Sequence, residues 1–590
     1  MKRGSLIWIC GVAALLCTAV VMATPDAGRD MRDDPQLRAM LDELARSKTL
    51  QLNNLDKPYF VQYSTGDANL VSVDGSLGGL ISSNRIHFRA PRVEIRVGDY
   101  KFDNTNSVFS GTARIGAFPL DDDYQAMRTA FWLSSDAMYK LATDQITRKR
   151  NAVREISDPG NTPDFAAAKP LQMIQPVENV ELDQNHWESI VRGLSERFVN
   201  HPHAVTSDVR VRLIATTYRV VNSEGTVIRI PENLSELQIR ATGVAADGNR
   251  VWNHRFITVL QPSQFPSEAE LEKATDAVAS ETEALAKAPL AADYSGPVLF
   301  EQEGAAQLMA QVLADASRLQ RKPVAPAGSN SPQIIDSVWS SRLGSKVAPD
   351  WLSIWDDPTP QRFNGTFLAG AYPVDDEGVP AERVLLVEKG TLKGFLFSRE
   401  PVRDFKRSNG HGRLPGAYGA EEAAFGNLFV HADHGIPEAK LKAKLLAKVK
   451  TQGLKFGIII RRLDFPSTAS LEELQSLVRQ IQKGGYVRSL NEPLLAYRAY
   501  PDGHEELVRG LRFQEFSAKD LRDVLAASDH PYVLNYVNNG TAFNRADSGS
   551  DATTSSVICP SLLFDNVDLA RAENEPAKPP VVAPPALTVQ

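Results

Sequence analysis

The segment GPVLFEQEGAAQLMAQVLADAS, residues 296 to 317, reads as a short strand, a turn and a helix. Within it Glu303, Gln307, Gln311 and Asp315 recur every four positions and so share one helix face. Ala306, Met309, Val312 and Leu313 lie mostly on the other side. A stripe of carboxylates and amides has three uses. The simplest is an exposed, solvated helix face. The sharper one is a cleft wall that hydrogen-bonds an extended peptide backbone through Glu303, Gln307 and Gln311. The third is a metal site built on carboxylates. Amides and alkyl groups are poor zinc ligands, and no histidine occurs between His254 and His411.

The clustered histidines of this half are His411, His431 and His434. The spacing His431-Ala-Asp-His434 can bind a metal in a tight turn, and His411 would complete a trio. Against that stands the reading of NGHGRLPGAYG as a polar, glycine-rich loop. His201-Pro-His203 is expected on a surface loop. His504-Glu505 opens like a zincin helix but fails at Val508, and the Pro-Asp-Gly turn before it predicts a hairpin. No G-x-S-x-G elbow, Walker A loop or dinucleotide fingerprint is present. Asp99, Asp103 and Asn104 follow a strand and read as a turn, because such side chains bond their own backbone; calcium would lack a full ligand set there.

The elements around these residues follow from periodicity. A helix is expected at 35–47. Alternating segments at 57–65, 68–75, 78–90 and 92–104 predict a curved antiparallel sheet. A long helix is expected from Asp122 to about Ile156, and a second unit from 171 to 290, with a helix near 186–197, strands within 209–230 and 237–259, and a helix at 267–285. Strands dominate from 296 to 567, with helices near 301–320, 437–451, 470–483 and 517–527. In KLKAKLLAKVK, Leu441, Leu445, Leu446 and Val449 form an apolar stripe, and the lysines its wet side. The fold class is α+β: an N-terminal antiparallel or mixed sheet with helices, then a largely β, barrel-like C-terminal domain. The expected domains are 24–170, 171–290 and 291–573, between a leader at 1–23 and a proline-rich, disordered tail at 574–590.

The 590 residues are 43 % hydrophobic and 23 % charged, with a net charge of −7, which disfavours a nucleic-acid partner. Lys2 and Arg3 precede an apolar run from Leu6 to Met22, and Val21-Met22-Ala23 resembles a leader cleavage site. The expectation is export to the periplasm after cleavage behind Ala23; the alternative is anchoring in the membrane by that segment. A lipoprotein would use Cys17, but bulky Leu16 precedes it. No later segment is long and apolar enough to span a bilayer. Cys559 is the one cysteine outside the leader, so the processed chain can form no internal disulfide.

SGPVLFEQEGAAQL, SNGHGR, ELVRGLRFQEFSAKDLRDVLAAS and CPSLLFDNVDL resemble the C-terminal half of TldD/PmbA proteins, and VEIRVGDYKFDNTN, AFWLSSDAMYKLATDQ and YRVVNSEGTVIR resemble the N-terminal half. The resemblance covers about residues 33 to 569. It implies a dimerising α+β fold and extended, unfolded peptide as substrate. TldD-type members are zinc peptidases with an HExxxH-like helix and a later cysteine ligand. PmbA-type members lack those ligands and pair with a TldD-type subunit. Here Gln307, Leu308 and Met309 stand near the helix ligand positions. Arg461 and Arg462 stand where the cysteine is expected, and two cations disfavour a metal ion. The chain is therefore similar to the PmbA type. The resemblance also marks Asn409, His411 and Arg413 as a structural or substrate-contacting loop.

These observations predict a subunit without catalytic residues, metal ligands or a cofactor of its own. It would bind extended peptide while a TldD-like zinc-bearing partner, or a second copy, completes the assembly. The alternatives are an active metallopeptidase using His411, His431 and His434, and an envelope scaffold without a peptidase role.

Overall fold

The computed structural model describes residues 33–112, 116–156, 160–328, 334, 336–415, 418–465, 490–538 and 553–572. The expected leader, the helix at 470–483 and the proline-rich tail lie outside the described residues.

Helix α1 (Pro35–Ser47) starts where Asp34 accepts the backbone N–H groups of Gln36 and Leu37, and proline fits the first helical position. The N-terminal sheet contains β1 (Pro58–Ser76), β2 (Gly79–Val97), β3 (Gln172–Ile174), β4 (Ala204–Asn222), β5 (Val227–Pro231), β6 (Leu234–Val244) and β7 (Arg250–Val259). The four short strands expected between 57 and 104 are two continuous 19-residue strands joined by a tight hairpin. Its order is β2-β1-β4-β5-β3, with β6 paired to β4 and β7 to β6; β3 alone runs parallel to its neighbour. Because β1 pairs with β4 along 14 positions, one sheet crosses the boundary expected at 170/171. The units placed at 24–170 and 171–290 therefore share a sheet, a pairing between distant segments that local composition does not report.

Odd-numbered residues point to one sheet face. There Val61, Tyr63, Val93 and Ile95 pack on α1 and α2 (Tyr124–Arg154). Val71, Val73, Val211 and Leu237 pack on α3 (Gln184–Glu196) and α4 (Glu268–Lys287). Even-numbered residues such as Val220, His254 and Phe256 turn to the opposite face, where Val220 and Phe256 pack on C-terminal residues.

The C-terminal part begins with β8 (Tyr294–Phe300) and α5 (Glu303–Ala316). It continues through β9 (Leu352–Asp356), β10 (Arg362–Phe363), β11 (Thr366–Phe367), β12 (Val384–Glu388), β13 (Thr391–Leu392), β14 (Gly412–Pro415), β15 (Glu421–Ala423) and β16 (Asn427–Ala432). After α6 (Glu438–Thr451) come β17 (Gly457–Leu463), β18 (Pro493–Ala499), β19 (Glu505–Val508), β20 (Leu511–Phe513), β21 (Val524–Asn538) and β22 (Thr553–Arg571). Eleven of these strands form one open mixed sheet rather than a barrel: among the described residues its path ends at β13 and β19 without closing. Helix α5 covers one face of this sheet. Helix α6 covers the other through Leu441, Leu445 and Val449, which are fully buried. The helix expected at 517–527 is a 3₁₀ turn, Ala518–Asp523, after which the chain enters β21. Pairing with β22 outweighs the helical preference of that leucine- and alanine-rich stretch.

Candidate functional site

Helix α5 is buried nearly all round, and this corrects the expectation of an exposed polar face: Gln307 is 0 % and Gln311 6 % exposed. The helix lies so close to β17 that a Cβ on Gly304 would come within 2.6 Å of the Ile460 carbonyl oxygen. Buried amides need partners, and these have them inside the chain. The Leu463 N–H donates to Gln307 Oε1 at 2.7 Å, and Gln307 Nε2 donates to Glu303 Oε1 at 3.2 Å. The Asn491 N–H donates to Gln311 Oε1 at 2.9 Å, and Gln311 Nε2 donates to the Gln307 carbonyl at 3.3 Å. The stripe thus stitches α5 to the end of β17 and to the chain entering β18. Asp315, one turn further on, pairs with Arg318 at 3.0 Å.

Where the resemblance expects a cysteine ligand, Arg462 reaches Glu281 Oε2 at 2.9 Å, Asn253 Oδ1 at 3.0 Å and Glu303 Oε2 at 3.4 Å. Arg255 approaches Glu303 from β7 at 3.4 Å. Burial raises the Glu303 carboxyl pKa, but the Arg462 and Arg255 charges outweigh it and hold the group below the usual carboxylate range. Burial likewise opposes the Arg462 charge, and Glu303 and Glu281 more than restore it. Arg461 faces away, to Glu301 at 2.7 Å and Glu505 at 2.8 Å. His254, 2 % exposed, lies with Nε2 3.3 Å from Asp464 Oδ1.

This donor set does not fit zinc. Both amides are engaged with backbone groups, and the one carboxylate of α5 nearest β17 is shared by two guanidinium groups. Met309 is fully buried in the apolar core. Among the described residues no group of three or more His, Cys, Asp or Glu side chains is placed to hold a metal ion.

The second set of predicted residues lies on the C-terminal loops. His411 is fully buried, with Nε2 2.9 Å from Asp356 Oδ1 and Nδ1 2.9 Å from the Asn409 carbonyl oxygen. Asn409 spends its own side chain on the loop, donating to the Phe395 carbonyl and accepting from the Phe397 N–H. Arg413 donates to Thr553 Oγ1 at 2.5 Å and lies over the Tyr372 ring at 4.2 Å. His431 pairs in register with Ser353 on β9, three residues from Asp356, so it points from the opposite sheet face. Its side chain is 58 % exposed, and His434 is also exposed. The structure thus does not bring His411 together with His431.

Other readings can be placed as well. Asp99 caps its own turn by accepting from Lys101 and Phe102, while Asp103 accepts from Arg96, Tyr59 and Thr105. Residues 504–508 form the strand of a hairpin with β18. The residues that local motifs did not reveal are Asn253, His254, Arg255 and Glu281. They come from β7 and α4 and converge on α5 from about fifty positions or fewer before it. An asparagine, a histidine and an arginine in a row within a strand were the available signal.

The model of the PmbA/TldA metallopeptidase C-terminal domain matches residues 292–464. Over these residues the chain is similar to the TldD/PmbA family. Curated metalloproteases of Archaeoglobus fulgidus and Methanocaldococcus jannaschii are 42 % identical over 80 residues and 38 % over 82. Each match covers 14 % of this chain and 17 % of the relative. A metalloprotease from Synechocystis is 26 % identical over 222 residues, 37 % of this chain and 42 % of the relative. The match therefore spans less than half of each of these relatives. The fold extends further. TldE from Thermococcus kodakarensis superposes with a TM-score of 0.53 at 12 % identity, covering 90 % of this chain and all of that one. A gyrase-modulator candidate from Thermotoga maritima gives 0.55 at 15 % identity, covering 90 % and 99 %. The family model covers the part that includes α5 and β17, while the fold similarity covers 90 % of the chain.

Proposed function

We propose that this TldD/PmbA-like protein is a non-catalytic subunit of a peptidase assembly. It binds extended peptide, and a zinc-bearing TldD-like partner performs the hydrolysis. The observation that carries the reading is the chemistry at α5 and β17. Arg462 and Arg255 neutralise Glu303, and the Gln307 and Gln311 amides are saturated by Leu463 and Asn491. A catalytic zinc requires about three ligands and an open position for water, and these side chains offer neither. Peptide binding would rest on strand edges, where main-chain groups pair with an extended substrate. Export behind Ala23 is part of the proposal, and it requires an exported TldD-type chain alongside, or a second copy of this one.

The test is purification of the processed protein from its native envelope, with partners identified and metal measured in one sample. The expected result is co-purification with a zinc-bearing homologue, no stoichiometric zinc in the chain alone, and peptide hydrolysis only in the assembly. Chelator-sensitive hydrolysis by the isolated chain, with zinc lost on His411→Ala, would overturn it.

A further inference from the structure

The even-numbered face of the N-terminal sheet meets the C-terminal part along a polar seam. Its apolar content at the β5 corner is small: Val374 against Val220, Ile228 and Ile230. Hydrogen bonds also join the two parts there. The amides of Asn106, Ala166 and Val324 bond across the seam, to the carbonyls of Tyr418, Arg399 and Asn106 at 3.0, 2.8 and 2.8 Å. Arg399 also reaches back, to the Ala166 carbonyl at 2.8 Å and to Glu224 at 2.7 Å.

Into this seam the C-terminal part inserts three consecutive acids, Asp375, Asp376 and Glu377. Asp375 is 2 % and Glu377 5 % exposed, whereas the Asp376 side chain keeps 27 %. Asp375 accepts from the N–H groups of Val379 and Gly412, at 2.8 and 3.0 Å, and Glu377 from that of Arg399 at 2.6 Å. Gly378, at φ +79°, lets the loop turn against Thr226 of the N-terminal sheet.

The charges that face this loop come from every side. From β14 and the residue before it come Arg413 and His411. Glu421 on β15 is paired with Arg92 of β2. From the sheet come Glu232, Glu224 and the Tyr218 hydroxyl, and Tyr372 stands beside Arg413. Near the triplet, carboxylates outnumber the guanidinium groups of Arg92, Arg399 and Arg413. Arg413 Nε lies 3.5 Å from Asp376 Oδ1 and Arg399 acts on Glu377, but acids removed from water in excess of their cations favour their neutral form.

We propose that the Asp375–Glu377 loop is a proton-operated joint: the N-terminal sheet is held on the C-terminal part while these carboxyls carry protons, and is loosened as they ionise. Burial pushes Asp375 up to about 6 and raises Asp376 and Glu377 well above the carboxylate range. Glu400, further along the seam, is pushed by burial up to about 8, against the pull of Arg321. Separation returns these groups to water and to ordinary carboxylate behaviour, so the docked state binds more protons. Raised acids hold the joint fully below about pH 4.5, and their contribution falls as pH rises toward 8. The joint therefore tightens on acidification.

The experiment is hydrogen exchange on the full-length processed protein at pH 5.5 and 8.5, expressed as protection factors so that the intrinsic pH dependence cancels. Peptides covering the Asn106, Ala166 and Val324 amides are expected to lose about 10-fold or more in protection at pH 8.5, since one shifted group supplies up to tenfold per pH unit. The Leu463 amide, bonded to Gln307, is expected to hold its protection. The variant D376N/E377Q imitates the protonated loop and keeps the acceptor for the Arg399 N–H; it is expected to reduce the loss, on a logarithmic scale, to less than half. Three outcomes overturn the joint: no loss in the wild type, a loss of equal size at Leu463, or a full-sized loss in D376N/E377Q. The wild-type comparison alone decides the matter if that variant does not fold, and Glu400→Gln then serves as the second variant, with a partial reduction expected.

Discussion

At the β7 corner of the N-terminal sheet, Glu303 meets two guanidinium groups and is held ionised. At the β5 corner, Asp376 and Glu377 meet more carboxylates than cations and are driven toward the neutral form. Both corners bury acids of the C-terminal part against the N-terminal sheet, so burial alone does not separate them. The balance of charge does. A corner with matched charges is a fixed clamp, and one with surplus acid responds to pH. The sign differs as well. A lowered acid contributes stability above its ordinary value and loses it as pH falls through the folded value, so Glu303 is silent between pH 5.5 and 8.5. The raised acids of the other corner lose theirs as pH rises through that same window.

The clamp is broken most severely at its cation. Arg462→Leu would leave Glu303, whose side chain is 13 % exposed, and Glu281 without their main partner. Removing one member of a buried ion pair costs about 3–5 kcal/mol, and the urea transition is expected to shift by that amount equally at pH 6 and pH 8. A loss below about 1 kcal/mol would mean that water replaces the guanidinium and that charge does not hold this corner. Gln307→Leu is the next test. It keeps the apolar bulk in α5 but strands the buried Leu463 N–H and one oxygen of Glu303. An unsatisfied buried group costs about 1–3 kcal/mol, measured in the same urea experiment. A neutral result would show that the amide is not needed to join α5 to β17.

The two corners also show what a sequence can convey. Helix α1 was legible to the residue, because Asp34 and Pro35 are a local start signal. The apolar stripe of α6 was legible because Leu441, Leu445 and Val449 repeat at helical spacing and are all buried. The stripe Glu303, Gln307, Gln311 and Asp315 was legible as a face, but not as a buried one. Spacing says which side chains travel together, and only the neighbours decide whether water reaches them. Those neighbours are Leu463 and Asn491, more than 150 positions later. That α5 carries no histidine or cysteine could be read directly, since residue types suffice for that. The Arg462 clamp could not, because Asn253 and Glu281 reach it from another part of the sheet. Nor could the Asp375–Glu377 joint: three acids in a row read as a wet loop until a second surface closes on them.

The smallest expected effect sharpens the contrast between buried and exposed charge. His431 projects from the outer face of β16, 58 % exposed, with Nε2 3.7 Å from Asp433 Oδ1 and its ring 6.0 Å from that of Trp355. An exposed pair of this kind is worth little, so His431→Ala is expected to change stability by no more than about 0.5 kcal/mol. It is also expected to leave the metal content of the isolated chain unchanged. His411→Ala differs, because it removes a partner from Asp356, which is 0 % exposed and already has Oδ2 unpartnered. The two substitutions delete the same imidazole, and only burial and the carboxylate beside it distinguish them. If both lowered bound zinc together, the histidines would be acting as one ligand set, and the separation of β9 into an inner Asp356 and an outer Ser353 would have to be abandoned.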